Sequence, residues 1–461
     1  MSTESLEDAI QRAGSAVELL RNAAYPAYSF PVPPEHTNWR SEQRAWRETC
    51  ALLDQSHHMA DLFVSGRDAL ELFAALGVNS FAGFKPDMAK QFVAVNPEGY
   101  FIGDGILFYL DDEQFDLVGG HYWLTEWIRY KAQLGGYRVS IERDEDSTRR
   151  DGPPKLYRYE LQGPAAVSIM ERVTGKPVPE VKFFHMTRFA IAGRSVRALR
   201  HGMAAQPGFE LFGPWEEGEA VRAALLAAGE EFGLRQAGAK AYSTANLESG
   251  WVPSPLPAIF TGEEMAAFRR NCPADRIGSL AGSLYSPDIT DYYVTPYDLG
   301  YGRIVSFDHD YVGREALEEI GRSPRRTKVT LVWNEEDVLR AIGSQFGPGL
   351  PAKYIELPKA RYGRFQVDKV LRDGDWVGIS MDCGYIYNEK AMISLAAVDV
   401  AVSEPGTEVV VLWGEQPNSA KPQVEPHQQM EIRATVAPAP YVQFARERYR
   451  VGSLTASGGS S

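Results

Sequence analysis

The sequence predicts an α+β protein whose C-terminal third is all-β. Up to about Phe232, apolar positions recur at helical spacing in some segments and alternate in others. From Lys328 onward the chain breaks into short β-rich runs separated by Gly, Pro and Asn, the pattern of a barrel or sandwich. At 461 residues, 44% hydrophobic and 24% charged, the chain has room for two or three domains.

Leu6, Ile10, Val17 and Leu20 predict an amphipathic opening helix, ended by Pro26, Pro31, Pro33 and Pro34. A second helix is expected over 41–52, a strand over 60–64, and a glycine-closed helix over 66–77. Residues 92–95, 106–109 and 115–118 predict strands, and 123–134 a helix ended by Gly135 and Gly136. The charged, proline-containing stretch 143–155 reads as a linker or long loop. A strand over 157–161 follows, then a helix from Pro164 to near Gly175 and another over 216–232. The later β-rich runs are 328–333, 392–400, 408–413 and 430–436, and the Gly/Ser-rich tail 451–461 predicts disorder. No internal repeat is evident.

Sixty-one acidic against 48 basic residues give a net charge of −13, which argues against nucleic acid or an anionic membrane as partner. Cys50, Cys272 and Cys383 are too far apart in sequence for a local CxxC motif, so a reducing cytoplasm is expected, and no metal-ligand spacing is present. The acidic N-terminus has no export signal, and no apolar run of about 18 residues follows. Phosphate-loop, GxGxxG, HExxH and GxSxG motifs are missing.

A colinear set of segments instead resembles the aminomethyltransferase family. It comprises 51–59 (Ala-Leu-Leu-Asp-Gln-Ser-His-His-Met) with 61–70, then 99–108, 161–165, 207–212, 246–251, 296–302 with 311–317, and 406–409. The likeness spans about residues 38–440. Within the family, His57-His58-Met59, Arg200-His-Gly-Met203 and 251–257 are most similar to the tetrahydrofolate-dependent aryl methyl ether O-demethylases of the vanillate and syringate type. Aminomethyltransferases carry an acidic pair where this chain has Gly103-Asp104. Vanillate-type enzymes carry an arginine near 118–122, where this chain has none, which favours syringate over vanillate, with 3-O-methylgallate a further candidate substrate.

The resemblance implies a three-domain ring: domain 1 from 1–54 and 151–232, domain 2 from 55–150 and 233–322, and a β-barrel from 323–450. It implies methyl transfer from a methoxylated aromatic acid to N5 of tetrahydrofolate, in the catabolism of lignin-derived aromatics. The alternative is an aminomethyltransferase or an N- or S-demethylase of the same fold, and a further reading keeps the fold as a non-enzymatic folate-binding module.

Ether cleavage needs a proton donor, an aligner and a folate clamp. Tyr242 is the candidate donor, because a phenol stays protonated at neutral pH and can hydrogen-bond an ether oxygen. His57 and His58 point to opposite faces of extended backbone, and the motif favours His58 as substrate contact or proton relay, with Gln55 beside it. Glu210, flanked by Phe209 and Leu211, needs partners if buried, and the resemblance assigns it to the pterin ring. Trp251 is expected to wall the folate, with Asp104 a weaker folate-side candidate. Tyr28 and Phe30 are candidates for the aromatic wall of the substrate pocket, and His121 and Arg129 for its carboxylate.

Overall fold

The computed structural model describes residues 4–25, 29–119, 121–415 and 421–450, so Tyr28 and the tail 451–461 lie outside the described residues. Two open sheets, a closed barrel and a two-strand patch carry the α+β architecture.

In the six-stranded sheet the order is Leu234–Ala237, Cys50–Asp54, Leu156–Gln162, Gly208–Pro214, Arg194–Leu199, Met186–Ile191. The Leu156–Gln162 strand explains how this sheet serves a site. Tyr157, Tyr159 and Leu161 turn one way, into a core with helices Ala166–Thr174 and Gly218–Gly229, while Arg158, Glu160 and Gln162 alternate onto the other face. The five-stranded sheet is wholly antiparallel, in the order Met88–Val95, Phe101–Asp111, Gln114–Val118, Asp61–Ser65, Ser140–Asp144. The two open sheets meet through Ala89, Phe108 and Val118 of one and Met186, Leu199 and Phe212 of the other. The all-β region closes into a six-stranded barrel over Arg326–Ala437, which removes its free edges. Leu280–Ala281 pairs in parallel with Phe365–Gln366 and ties the barrel unit to the preceding chain.

Several local expectations change. The opening helix is two, Leu6–Ala13 and Ala16–Arg21, because Gly14 takes φ +83° and Ser15 caps the second through its side chain. The helix expected over 41–52 ends at Glu48, and Cys50–Asp54 is a strand whose Ala-Leu-Leu run is recruited between two partners. Residues 6–21, expected with the first unit, share a core with the five-stranded sheet: Leu6, Val17 and Leu20 pack with Phe73, Phe92 and Phe268. The Leu234–Ala237 strand, beyond the boundary expected at 232, pairs with Cys50–Asp54, so that boundary cuts a sheet.

Candidate active site

Tyr242 ends the short helix Ala239–Tyr242, whose start is fastened to the segment before Trp39. Ala239 and Lys240 donate their backbone N–H groups to the carbonyls of Pro33 and Pro34 (2.9 and 3.0 Å), and Gly238 N–H donates to Glu42 Oε2 at 2.9 Å. A Cβ at Gly238 would lie 2.5 Å from the Pro34 carbonyl, so only glycine permits this approach. The phenol oxygen thereby meets the turn after Cys50–Asp54: Gln55 Nε2 donates to it at 3.1 Å, and His58 Nε2 lies 2.9 Å from it. The His58 and Tyr242 rings meet edge to face at 4.7 Å, and Phe30 packs against His58 at 6.0 Å. His57 turns away, with Nδ1 3.0 Å from Ser147 Oγ and its ring against Trp215, although residues 56–58 form a turn and not the extended backbone on which the opposite-face argument rests.

Burial pushes the His58 imidazole down to about 4, against partial opposition from Asp54, so the ring is neutral at physiological pH. Burial, then Arg364, pushes His121 to about 3, and burial does the same to His201. For all three rings the folded pKa lies below the ordinary value of 6.5, so the unfolded chain binds more protons in the interval between. Their contribution to stability is therefore complete above about pH 6.5 and is lost as pH falls through the folded values. The rate of methyl transfer is accordingly expected to show no His58 titration between pH 6 and 8. An inflection near pH 6.5 in the single-turnover pH profile, absent from His58→Gln, would contradict a neutral His58.

On the polar face of the six-stranded sheet, Glu160 and Glu210 stand directly opposite each other on neighbouring strands, both buried. Like charges so placed repel. Arg158 offsets part of this: it donates to Glu210 Oε1 at 3.1 Å, to Asp61 Oδ1 at 2.7 Å and to Asp116 Oδ2, so one guanidinium joins carboxylates of both open sheets. Glu160 accepts from the Met203 N–H (3.1 Å). Burial and then Glu210 push its carboxyl well above the usual range, and burial also raises Glu210 against the pull of Arg158. With His201 these glutamates present ligand atoms within 4.8 Å of one another, a convergence of acceptors that no sequence spacing announced. The set suits a ligand with adjacent N–H donors, which is what a pterin offers.

Trp251 Nε1–H donates to Asp104 Oδ2 at 2.8 Å, and the same oxygen accepts from Gln91 (2.8 Å) and the Tyr301 hydroxyl. Asp104 is buried and acts on Trp251, the expected folate wall, by fixing its plane. The two carboxylate candidates separate. Arg129 is exposed on helix Tyr122–Gly135 and pairs with Glu126 at 2.7 Å, because its helical position faces outward; the expectation of a substrate contact is not met there. His121 faces inward, with Nε2 2.6 Å from the Pro253 carbonyl and Nδ1 2.9 Å from Arg364 Nη2.

Arg158, Glu160, His201 and Arg364 were not singled out from sequence. For the first two a signal existed: Arg158, Glu160 and Gln162 alternate with Tyr157, Tyr159 and Leu161, a polar face on a strand otherwise apolar.

Residues 6–254 match the family model described as the GCVT N-terminal domain. The chain is 48% identical over 453 residues to the syringate O-demethylase of Sphingobium sp. (strain NBRC 103272 / SYK-6), covering 97% of this chain and 98% of that one. It is 29% identical over 429 residues to the sesamin methylene transferase of Sinomonas sp. (strain No.22), covering 89% and 90%. The crystal structure of the glycine cleavage system aminomethyltransferase T from Bartonella henselae superposes with a TM-score of 0.60 at 18% identity, covering 96% of this chain and 98% of that one, a likeness of fold.

Proposed function

The chain belongs to the family of the GCVT N-terminal domain, and from that membership we propose that it is a tetrahydrofolate-dependent O-demethylase of methoxylated aromatic acids, syringate foremost. Bound tetrahydrofolate supplies N5 as the methyl acceptor, and the products are 5-methyltetrahydrofolate and a phenol. The observation that carries the reading is Tyr242 with two nitrogens on its oxygen, Gln55 Nε2 at 3.1 Å and His58 Nε2 at 2.9 Å.

In the Nε2–H tautomer of His58 both nitrogens donate to the Tyr242 oxygen, and Tyr242 serves as the proton donor to the ether oxygen. As the methyl–oxygen bond breaks, negative charge grows on the departing oxygen and Tyr242 gives it a proton, which the proton shed by N5 on methylation would restore to Tyr242. The two N–H donors favour the phenolate left behind, which makes Tyr242 a stronger acid where it is needed. Phe30 would wall the aromatic ring and Trp251, held by Asp104, the folate, and Glu210 with Glu160 would accept the pterin N–H donors. A donor ligand there would relieve the repulsion between two facing carboxylates.

The aminomethyl alternative is disfavoured at Gly103, where a Cβ would lie 2.8 Å from Leu124 Cβ, so the acidic pair of aminomethyltransferases has no room. Among the described residues no helix is long and apolar enough to cross a membrane, and Cys50, Cys272 and Cys383 are free and buried, which supports a reducing cytoplasm as the setting.

An anaerobic assay with syringate, vanillate and sarcosine tests the proposal. Syringate is expected to be demethylated only with tetrahydrofolate, faster than vanillate, with or without chelator; turnover without folate, or of sarcosine alone, would overturn it.

A further inference from the structure

We infer that Arg364, contributed by the barrel unit, receives the carboxylate of the aromatic substrate and is held in place for this by His121. The inference rests on the O-demethylase reading and adds the determinant that selects acids.

Arg364 sits on a pinned stretch of backbone. Its N–H donates to Ser279 Oγ (3.1 Å), its carbonyl accepts from Arg361 Nη2 (2.7 Å), and the next residue opens the strand paired to Leu280–Ala281. At Gly278, φ is +74° and a Cβ would lie 3.4 Å from Arg364 Cδ and 2.7 Å from the Phe365 ring, so the arginine stem passes where only glycine leaves room. The guanidinium reaches His121, whose Nε2–H is committed to the Pro253 carbonyl and whose Nδ1 therefore accepts from Arg364 Nη2 at 2.9 Å. Among the described residues, Nε and Nη1 of Arg364 make no hydrogen bond, and no carboxylate lies within ion-pair distance of Arg364 or Arg361.

Arg364 is exposed, and its guanidinium meets His121 through Nη2 alone. His121 and His58 are both half-buried. The seam between them is short: Gly119 N–H donates to the Ala60 carbonyl, and a Cβ at Gly119 would lie 3.3 Å from Met59 Sδ. A guanidinium with no carboxylate in ion-pair distance, in a chain of net charge −13, calls for an anionic ligand. A carboxylate across the ring from the reacting methoxy group fits, and arginine's planar fork is the geometry that grips it.

The test compares kcat/KM for syringate and for its neutral carboxamide, at saturating tetrahydrofolate, in wild type, Arg364→Gln, Arg364→Lys and Arg129→Gln. Arg364→Gln is expected to raise KM for the acid about 10- to 100-fold with a much smaller change in kcat, as loss of a charge-assisted hydrogen bond implies. The acid-to-amide ratio falls accordingly. Arg364→Lys, which keeps charge but not the fork, should fall between and decides the matter if the glutamine variant does not fold. Arg129→Gln should match wild type. An unchanged acid-to-amide ratio in the Arg364 variants, or its loss in Arg129→Gln instead, overturns the inference while leaving the O-demethylase reading intact; a wild-type enzyme that demethylates neither compound overturns both.

Discussion

Tyr242→Phe is expected to slow single-turnover methyl transfer by roughly 10²–10⁴-fold while syringate and tetrahydrofolate still bind. The ring keeps its shape and its edge-to-face packing on His58, so only the hydroxyl is lost. A hydrogen bond that strengthens as charge develops on the leaving oxygen stabilises the transition state more than the ground state, and its removal therefore appears in kcat rather than in affinity. Gln55 and His58 would be left facing a C–H edge instead of an oxygen, which adds a smaller binding cost shared by substrate and transition state. Rapid-quench measurement of methyl transfer, with calorimetric titration of both ligands, separates these effects. A transfer rate within a few-fold of wild type would mean that another group protonates the leaving oxygen.

Arg158→Met is expected to destabilise the protein by about 3–5 kcal/mol, because it leaves Asp61, Asp116 and Glu210 buried together without their cation. Methionine refills the apolar stem between Phe108 and Phe212, whose rings the guanidinium now covers at 5.2 and 4.9 Å, so the loss reads charge rather than volume. The pH dependence gives the sign. Burial already raises Asp116 and Glu210 with Arg158 in place, and removing the cation raises them further, so the penalty is largest at high pH and shrinks as they protonate. Thermal unfolding of both proteins at pH 8 and pH 5.5 should show a smaller gap at the lower pH. A gap that is equal at both, or below about 1 kcal/mol, would show that the acids are neutralised by protons and not by Arg158.

The tyrosine–histidine–glutamine group was named through the family resemblance of two short segments, 55–58 and 239–245, neither of which is specific alone, and the structure brings them together. The paired glutamates were half legible. Glu210 stood out as a carboxylate in an apolar run, but its register opposite Glu160 depends on a strand pairing between segments about 50 residues apart, which local pattern does not encode. Arg364 was not legible, since nothing near it in sequence speaks of a ligand and its partner His121 lies 243 positions away. Arg129 misled for a simple reason: on a helix with one face buried, a residue near the site in sequence can still project outward. The strand at 50–54 was mistaken for helix because Cys-Ala-Leu-Leu fits either periodicity, and only its two neighbours decide.

That strand also sets a timetable for the nascent chain. Cys50–Asp54 pairs with Leu156–Gln162 on one side and Leu234–Ala237 on the other, and Gln55 waits 187 positions for Tyr242. At ribosomal rates this is on the order of ten seconds or more, during which the strand can pair with Leu156–Gln162 but not yet with Leu234–Ala237. Its second edge stays open until residue 237 has emerged, and the site cannot be assembled before Tyr242, so activity should arrive after most of the secondary structure is already in place.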